Sequence, residues 1–203
     1  MASGENVASY ARWRIYPIPV VGFVGVSGSG KTTFLERVIA ELTSRGWRVG
    51  TAKHHHRPEF EIDVPGKDSW RHAHAGAVVS MISSEQKLGV TWKLQRERSV
   101  AELVAIAGDA VDILLTESIR DPESPQIEVV RRVHSDRVTC PLDSLFALVT
   151  DGSFPVGDVP VFALDDVSGV TDLIESSLLL GGRVRDSGTV GMGKAQSGGS
   201  NRV

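Results

Sequence analysis

Residues 25–33 read Gly25-Val26-Ser27-Gly28-Ser29-Gly30-Lys31-Thr32-Thr33. The first eight fit the spacing G-x-x-x-x-G-K-[ST], which cradles phosphate. Each residue type has a physical reason. Successive backbone N–H groups must turn inward toward an anion, and side chains would block its approach. A helix opening near Lys31 adds the positive end of its dipole. Lys31 brings a cation to the terminal phosphates, and the Thr32 hydroxyl is a ligand for Mg²⁺. Nucleotide binding is therefore expected at Gly28, Ser29, Gly30, Lys31, Thr32 and Thr33, with Mg²⁺ as cofactor.

Such a loop needs a strand before it and a helix after it. VVGFVG (20–25) is a short apolar run of the kind a buried strand shows. Phe34, Leu35, Val38, Ile39 and Leu42 follow at helical spacing over 31–45, and Gly46 is a stop signal. The loop also needs an acid at the end of a neighbouring strand. VDILLTE (111–117) offers Asp112 at its start and Glu117 at its end. Ligands of parallel sheets lie at the carboxyl ends of strands, so Glu117 is the metal candidate and Asp112 a surface residue or cap. Asp63 and Asp68, in the polar segment 54–69, are candidates for a further metal contact at Asp63 and, at both, for placing water.

The remaining pattern alternates strands and helices. Strands are predicted at 48–53, 78–83, 88–94, 127–131, 145–150 and 159–164. Helices are predicted at 66–76, 99–110 and 165–180, the second with Ser99 and Glu102 as a capping pair. This predicts an α/β protein of the P-loop NTPase fold, a mostly parallel twisted sheet flanked by helices on both faces. The nucleotide-binding domain is expected over 19–180. Residues 1–18 read as a loosely ordered leader, and the Gly/Ser-rich 181–203 as a disordered tail.

Bulk properties narrow the class. The chain has 203 residues, 41% hydrophobic and 23% charged, with net charge −3. That balance gives no basic footprint for nucleic acid, and no partner of that class is expected. No apolar run approaches the roughly 20 residues that cross a bilayer, and the start has no long apolar segment. A cytoplasmic protein without a membrane partner is expected. The single cysteine, Cys140, excludes an internal disulfide and reads as structural. Five of the six histidines fall between His54 and His74, but their spacing does not suit zinc. They read as a polar loop near the phosphates, with Lys53 and His54 at a strand end.

The base is not settled by the residues. Guanine-specific P-loop proteins often carry Asn-Lys-x-Asp, and the only asparagines here are Asn6 and Asn201. Asp151, just past the strand LFALVT, stands where a carboxylate can accept hydrogen bonds from guanine. GTP and ATP both remain open at this point.

The run VGVSGSGKTTFLERVIAELTSRGWRVGTAKHHH, followed by EIDVPGKDSWRHAHAGA, resembles the molybdopterin-guanine dinucleotide biosynthesis adapter protein B family, MobB. The resemblance covers about 20–175. The Lys-His pair at 53–54 and PGKDSWRHAHAGA at 65–77 are its most specific parts; LLTESIR (114–120) and PQIEVVR (125–131) add to it. It implies GTP as ligand, slow hydrolysis, a homodimer, and work beside the guanylyltransferase that joins GMP to molybdopterin. Molybdopterin or a molybdoenzyme is a further partner it allows. Asp63, Lys67 and Asp68 match the family's loop motif, and Glu117 its acidic strand end. Lys31, Asp63 and Asp68 are thus the residues expected to serve hydrolysis. Ser118 stands where the family is expected to have glycine, and Ile119 where it has an aromatic.

Two other classes fit the loop. A small-molecule kinase using ATP would close arginines over the phosphates, for which Arg96, Arg98 and Arg120 are available. A DNA- or membrane-positioning ATPase would carry a second lysine early in the loop, where this chain has Val26.

Overall fold

The computed structural model describes residues 11–13, 15–57 and 60–180. The expected tail at 181–203 and most of the leader lie outside them. Five-residue apolar strands form the centre: β1 (Val20–Val24), β5 (Ile113–Glu117) and β6 (Gln126–Val130), with β7 (Leu145–Thr150) beside them. β2 (Val49–Lys53) and the short β8 (Val161–Phe162) are the edges. The order is β2-β5-β1-β6-β7-β8, every pair parallel. The central strands are buried along their whole length because helices cover both faces.

Alternate side chains of β1 serve the two faces. Val21 and Phe23 pack with Phe34, Leu35, Val38 and Leu42 of α1 (Lys31–Ser44) and with Ile174 of α4 (Val167–Ile174). Val20 packs on the other side with Val100 and Val104 of α3 (Val100–Ala107). Val24 meets Cys140, Leu148 and Val156 there. The α3 start carries the predicted capping box: Glu102 N donates to Ser99 Oγ, and Ser99 N donates to the Glu102 carboxylate. α1 is tied to α4 by Arg45, which pairs with Glu41, Asp172 and Glu175. The last predicted helix divides: α4 ends at Ile174 and a wider π-helical turn runs from Glu175 to Leu179.

Two features differ from the sequence reading. The strands β3 (Val79–Ser83) and β4 (Leu88–Trp92) do not join the parallel sheet. They pair antiparallel as a separate hairpin, Ser84 N donating to Lys87 O across the turn. A four-residue connection is too short for a parallel crossover, which needs about a dozen residues. The end of the expected leader is also not loose. Trp13 is buried edge-on against Phe146, and the Tyr16 hydroxyl donates to Asp121 at 2.9 Å. Burial first, then the nearby Asp121 and Glu123 carboxylates, holds the Tyr16 phenol above its ordinary pKa.

Candidate functional site

The carboxyl ends of β1, β2 and β5 converge on a cavity of about 620 Å³. Gly25, Ser27, Gly28, Gly30, Lys31, Thr32 and Thr33 form one wall. Lys53, His54, His55, His56 and Arg57 form another, with Glu117 and Ser118 at the end of β5. The wall of glycines is required by geometry. Gly25 has φ of 134°, and a Cβ there would sit 2.3 Å from the Val129 carbonyl oxygen. Gly30 has φ of 91° and ends the loop as the cap of α1. As a glycine, Gly30 brings no side chain to cap the first N–H groups of α1, and a helix start of this kind suits an anion.

Lys31 is buried, and its Nζ donates to the Val26 carbonyl at 2.8 Å. Burial draws its pKa below the ordinary lysine value, with Glu117 pulling the other way. Thr32 Oγ1 donates to Glu117 Oε1 at 2.6 Å, and Lys53 Nζ lies 3.0 Å from the same oxygen. Glu117 is itself buried. One hydroxyl and one carboxylate oxygen, adjacent beside a phosphate loop, are the hard donors that Mg²⁺ takes alongside phosphate and water. The residues present fit that ion and a nucleotide.

The sequence-derived residues divide. Gly28, Gly30, Lys31, Thr32, Thr33 and Glu117 meet at the cavity. Ser29 does not line it; its hydroxyl is buried, without a hydrogen-bond partner among the described residues. Asp63 accepts from its neighbour Val64 N at 2.8 Å, and exposed Asp68 stands 3.5 Å from Arg71 as the first residue of α2 (Asp68–His74). Neither lines the cavity. Asp151 is exposed at the end of β7 and accepts from Arg132 N at 2.9 Å. Asp112 pairs with Arg48 at 2.9 Å, far along β5 from the site.

The structure explains one departure marked in the sequence, Ser118, and adds two residues that were not singled out. Among the described residues, Ser118 is the non-glycine residue with positive φ, 61°. Its N–H donates to Phe23 O, so the turn is fixed by β1. On the opposite flank of the loop, Arg131 and His134 follow β6. A Cβ on Gly30 would meet the Arg131 guanidinium at 3.3 Å, and one on Gly28 the His134 ring at 3.3 Å. The rule that ligands gather at strand carboxyl ends would have marked Arg131.

A parallel sheet of this order, with a phosphate loop between its central strand and first helix, defines a P-loop protein of the α/β class. Residues 20–151 match the model of one family within it, MobB, molybdopterin guanine dinucleotide synthesis protein B, and the chain belongs to that family. The chain is 30% identical over 165 residues to the molybdopterin-guanine dinucleotide biosynthesis adapter protein of Haemophilus influenzae, covering 79% of this chain and 90% of that one. It is 29% identical over 161 residues to the protein of the same name from Escherichia coli, covering 77% and 91%. Among solved structures, that of Bacillus subtilis MobB superposes with a TM-score of 0.66 at 27% identity, covering 79% of this chain and 98% of that one.

Proposed function

We propose that the chain binds GTP with Mg²⁺ at the glycine loop and acts as an adapter in molybdopterin guanine dinucleotide synthesis, beside the guanylyltransferase. The observation that carries the nucleotide reading is the convergence of Lys31, Thr32 and Glu117 around one cavity. Relatives named as adapter proteins of this synthesis support the role. When bound, Mg²⁺ would neutralise charge on the terminal phosphates. Lys31 holds the phosphates electrostatically, and the backbone of the loop orients them. Glu117 keeps Thr32 and Lys53 in register. Asp63 and Asp68, the carboxylates expected to place water, do not line the cavity, and this supports slow hydrolysis. Hydrolysis is accordingly slow, and binding is the working function.

The exposed hairpin supports a homodimer. Met81, Leu88, Val90 and Trp92 project from one face of it, each between 45% and 65% exposed. An apolar face of this kind in an otherwise mixed surface marks a contact site. The cytoplasm, where GTP and Mg²⁺ are abundant, is the compartment this reading requires. Among the described residues no helix is long and apolar enough to cross a membrane.

The kinase reading loses its arginines. Arg96 and Arg98 both pair with Glu102, and Arg120 donates to Thr139. The test of the adapter role is guanylyl transfer to molybdopterin by the purified transferase, with and without this chain. Stimulation by the wild type, lost in Lys31→Ala, is expected. Equal yield with and without the chain would overturn the role.

A further inference from the structure

The cavity holds the metal side of the site, between Lys53 and Glu117. A nucleotide whose terminal phosphates face that side would extend its nucleoside away from it, toward the ends of β6 and β7. Resting on the nucleotide reading above, we infer that the turn after β6 is the nucleoside half of the site: Arg131 pairs with the inner phosphate and His134 stacks on the base or ribose.

Three observations carry this. First, both side chains lie against the loop, Arg131 at Gly30 and His134 at Gly28, each about 3.3 Å from where a β-carbon would stand. The glycines thus open the loop toward these side chains as well as toward phosphate. Second, the turn is built to present them together. His134 N and Ser135 N both donate to Arg131 O, at 2.8 and 2.9 Å, so positions 131 and 134 share one face of a helical turn. Asp151 fixes that turn by accepting from Arg132 N at 2.9 Å. Third, the Arg131 guanidinium has no carboxylate partner among the described residues, whereas Arg96 and Arg98 are committed to Glu102. A planar guanidinium without an anion, held beside a phosphate loop, is suited to a phosphate oxygen pair. An exposed imidazole offers a planar face on which a purine stacks. Asp151 then acts through the turn it holds, as a positioning residue.

The test uses the full chain with Mg²⁺ and two ligands, GTP and inorganic tripolyphosphate, titrated by calorimetry. His134→Ala should weaken GTP by roughly fivefold or more, the range of a lost stacking partner, and leave tripolyphosphate unchanged. Arg131→Ala should weaken both, and Arg131→Lys should recover part of the loss. Both side chains are exposed, so melting temperatures should match the wild type. GTP affinity unchanged in both alanine variants, with Lys31→Ala still abolishing it, would overturn this inference and leave the P-loop reading intact. Undiminished GTP binding by Lys31→Ala would remove the P-loop reading itself and this inference with it.

Discussion

Ser118 is where a single residue departs most clearly from its conformational preference. A left-handed backbone costs a non-glycine residue roughly 1–2 kcal/mol, and nothing in its hydrogen bonding requires a side chain there. Ser118→Gly should therefore stabilise the chain by about 1 kcal/mol and raise its melting temperature by roughly 2–4 °C. Thermal unfolding followed by circular dichroism decides it, and a lowered midpoint would contradict the strain. Glu117 makes the complementary case. Its buried carboxylate binds Thr32 and Lys53 and supplies the metal side of the proposed site. Glu117→Gln should weaken Mg²⁺-dependent nucleotide binding by roughly tenfold or more, while binding measured in EDTA changes little. Equal losses with and without the metal would argue against a metal role. Cys140 adds a pH signature. Burial first, then the nearby Glu128 carboxylate, pushes its thiol up to about 11 from an ordinary 9.0. Between those values the folded chain binds the extra proton, so the thiol's contribution to stability is full below pH 9 and fades toward pH 11. Alkylation of the native chain at pH 8 should be far slower than in urea, read by mass spectrometry.

At the scale of elements, the sequence was most informative where one rule decided the outcome. The loop, its flanking strand and α1 follow from glycine placement and helical spacing, and the α3 capping box from Ser99 and Glu102. The position of Glu117 followed from one rule about strand ends. The hairpin did not follow. Val79, Met81, Val90 and Trp92 have the alternation of any strand, and only the short turn between β3 and β4 reveals their antiparallel pairing. Asp63 and Asp68 show the same limit: their types suit metal chemistry, but local turns hold them outside the cavity lining. Arg131 follows a strand end, where the rule about ligands marks it, but His134 comes to the loop by packing across a sequence distance of about 100 residues that no local pattern spans. The hairpin has its own test. If its apolar face joins two copies, Met81→Glu with Val90→Glu should convert a dimer to a monomer in sedimentation velocity, with the far-ultraviolet spectrum unchanged. A wild-type chain that sediments as a monomer at the same concentration would dismiss that face as the contact.

For the whole molecule, the parallel sheet and the separate hairpin are distinct parts. The carboxyl ends of the parallel strands gather the loop, the basic wall of 53–57 and the turn after β6. The hairpin is a separate two-stranded sheet and leaves Met81, Leu88, Val90 and Trp92 exposed. The adapter reading stands or falls on the nucleotide. The most direct measurement is calorimetric titration of the full chain with GTP and with ATP, each with Mg²⁺, repeated on Lys31→Ala. Clear preference for GTP in the wild type and loss of binding in the variant are expected. Preference for ATP, or binding that survives the substitution, would contradict that reading.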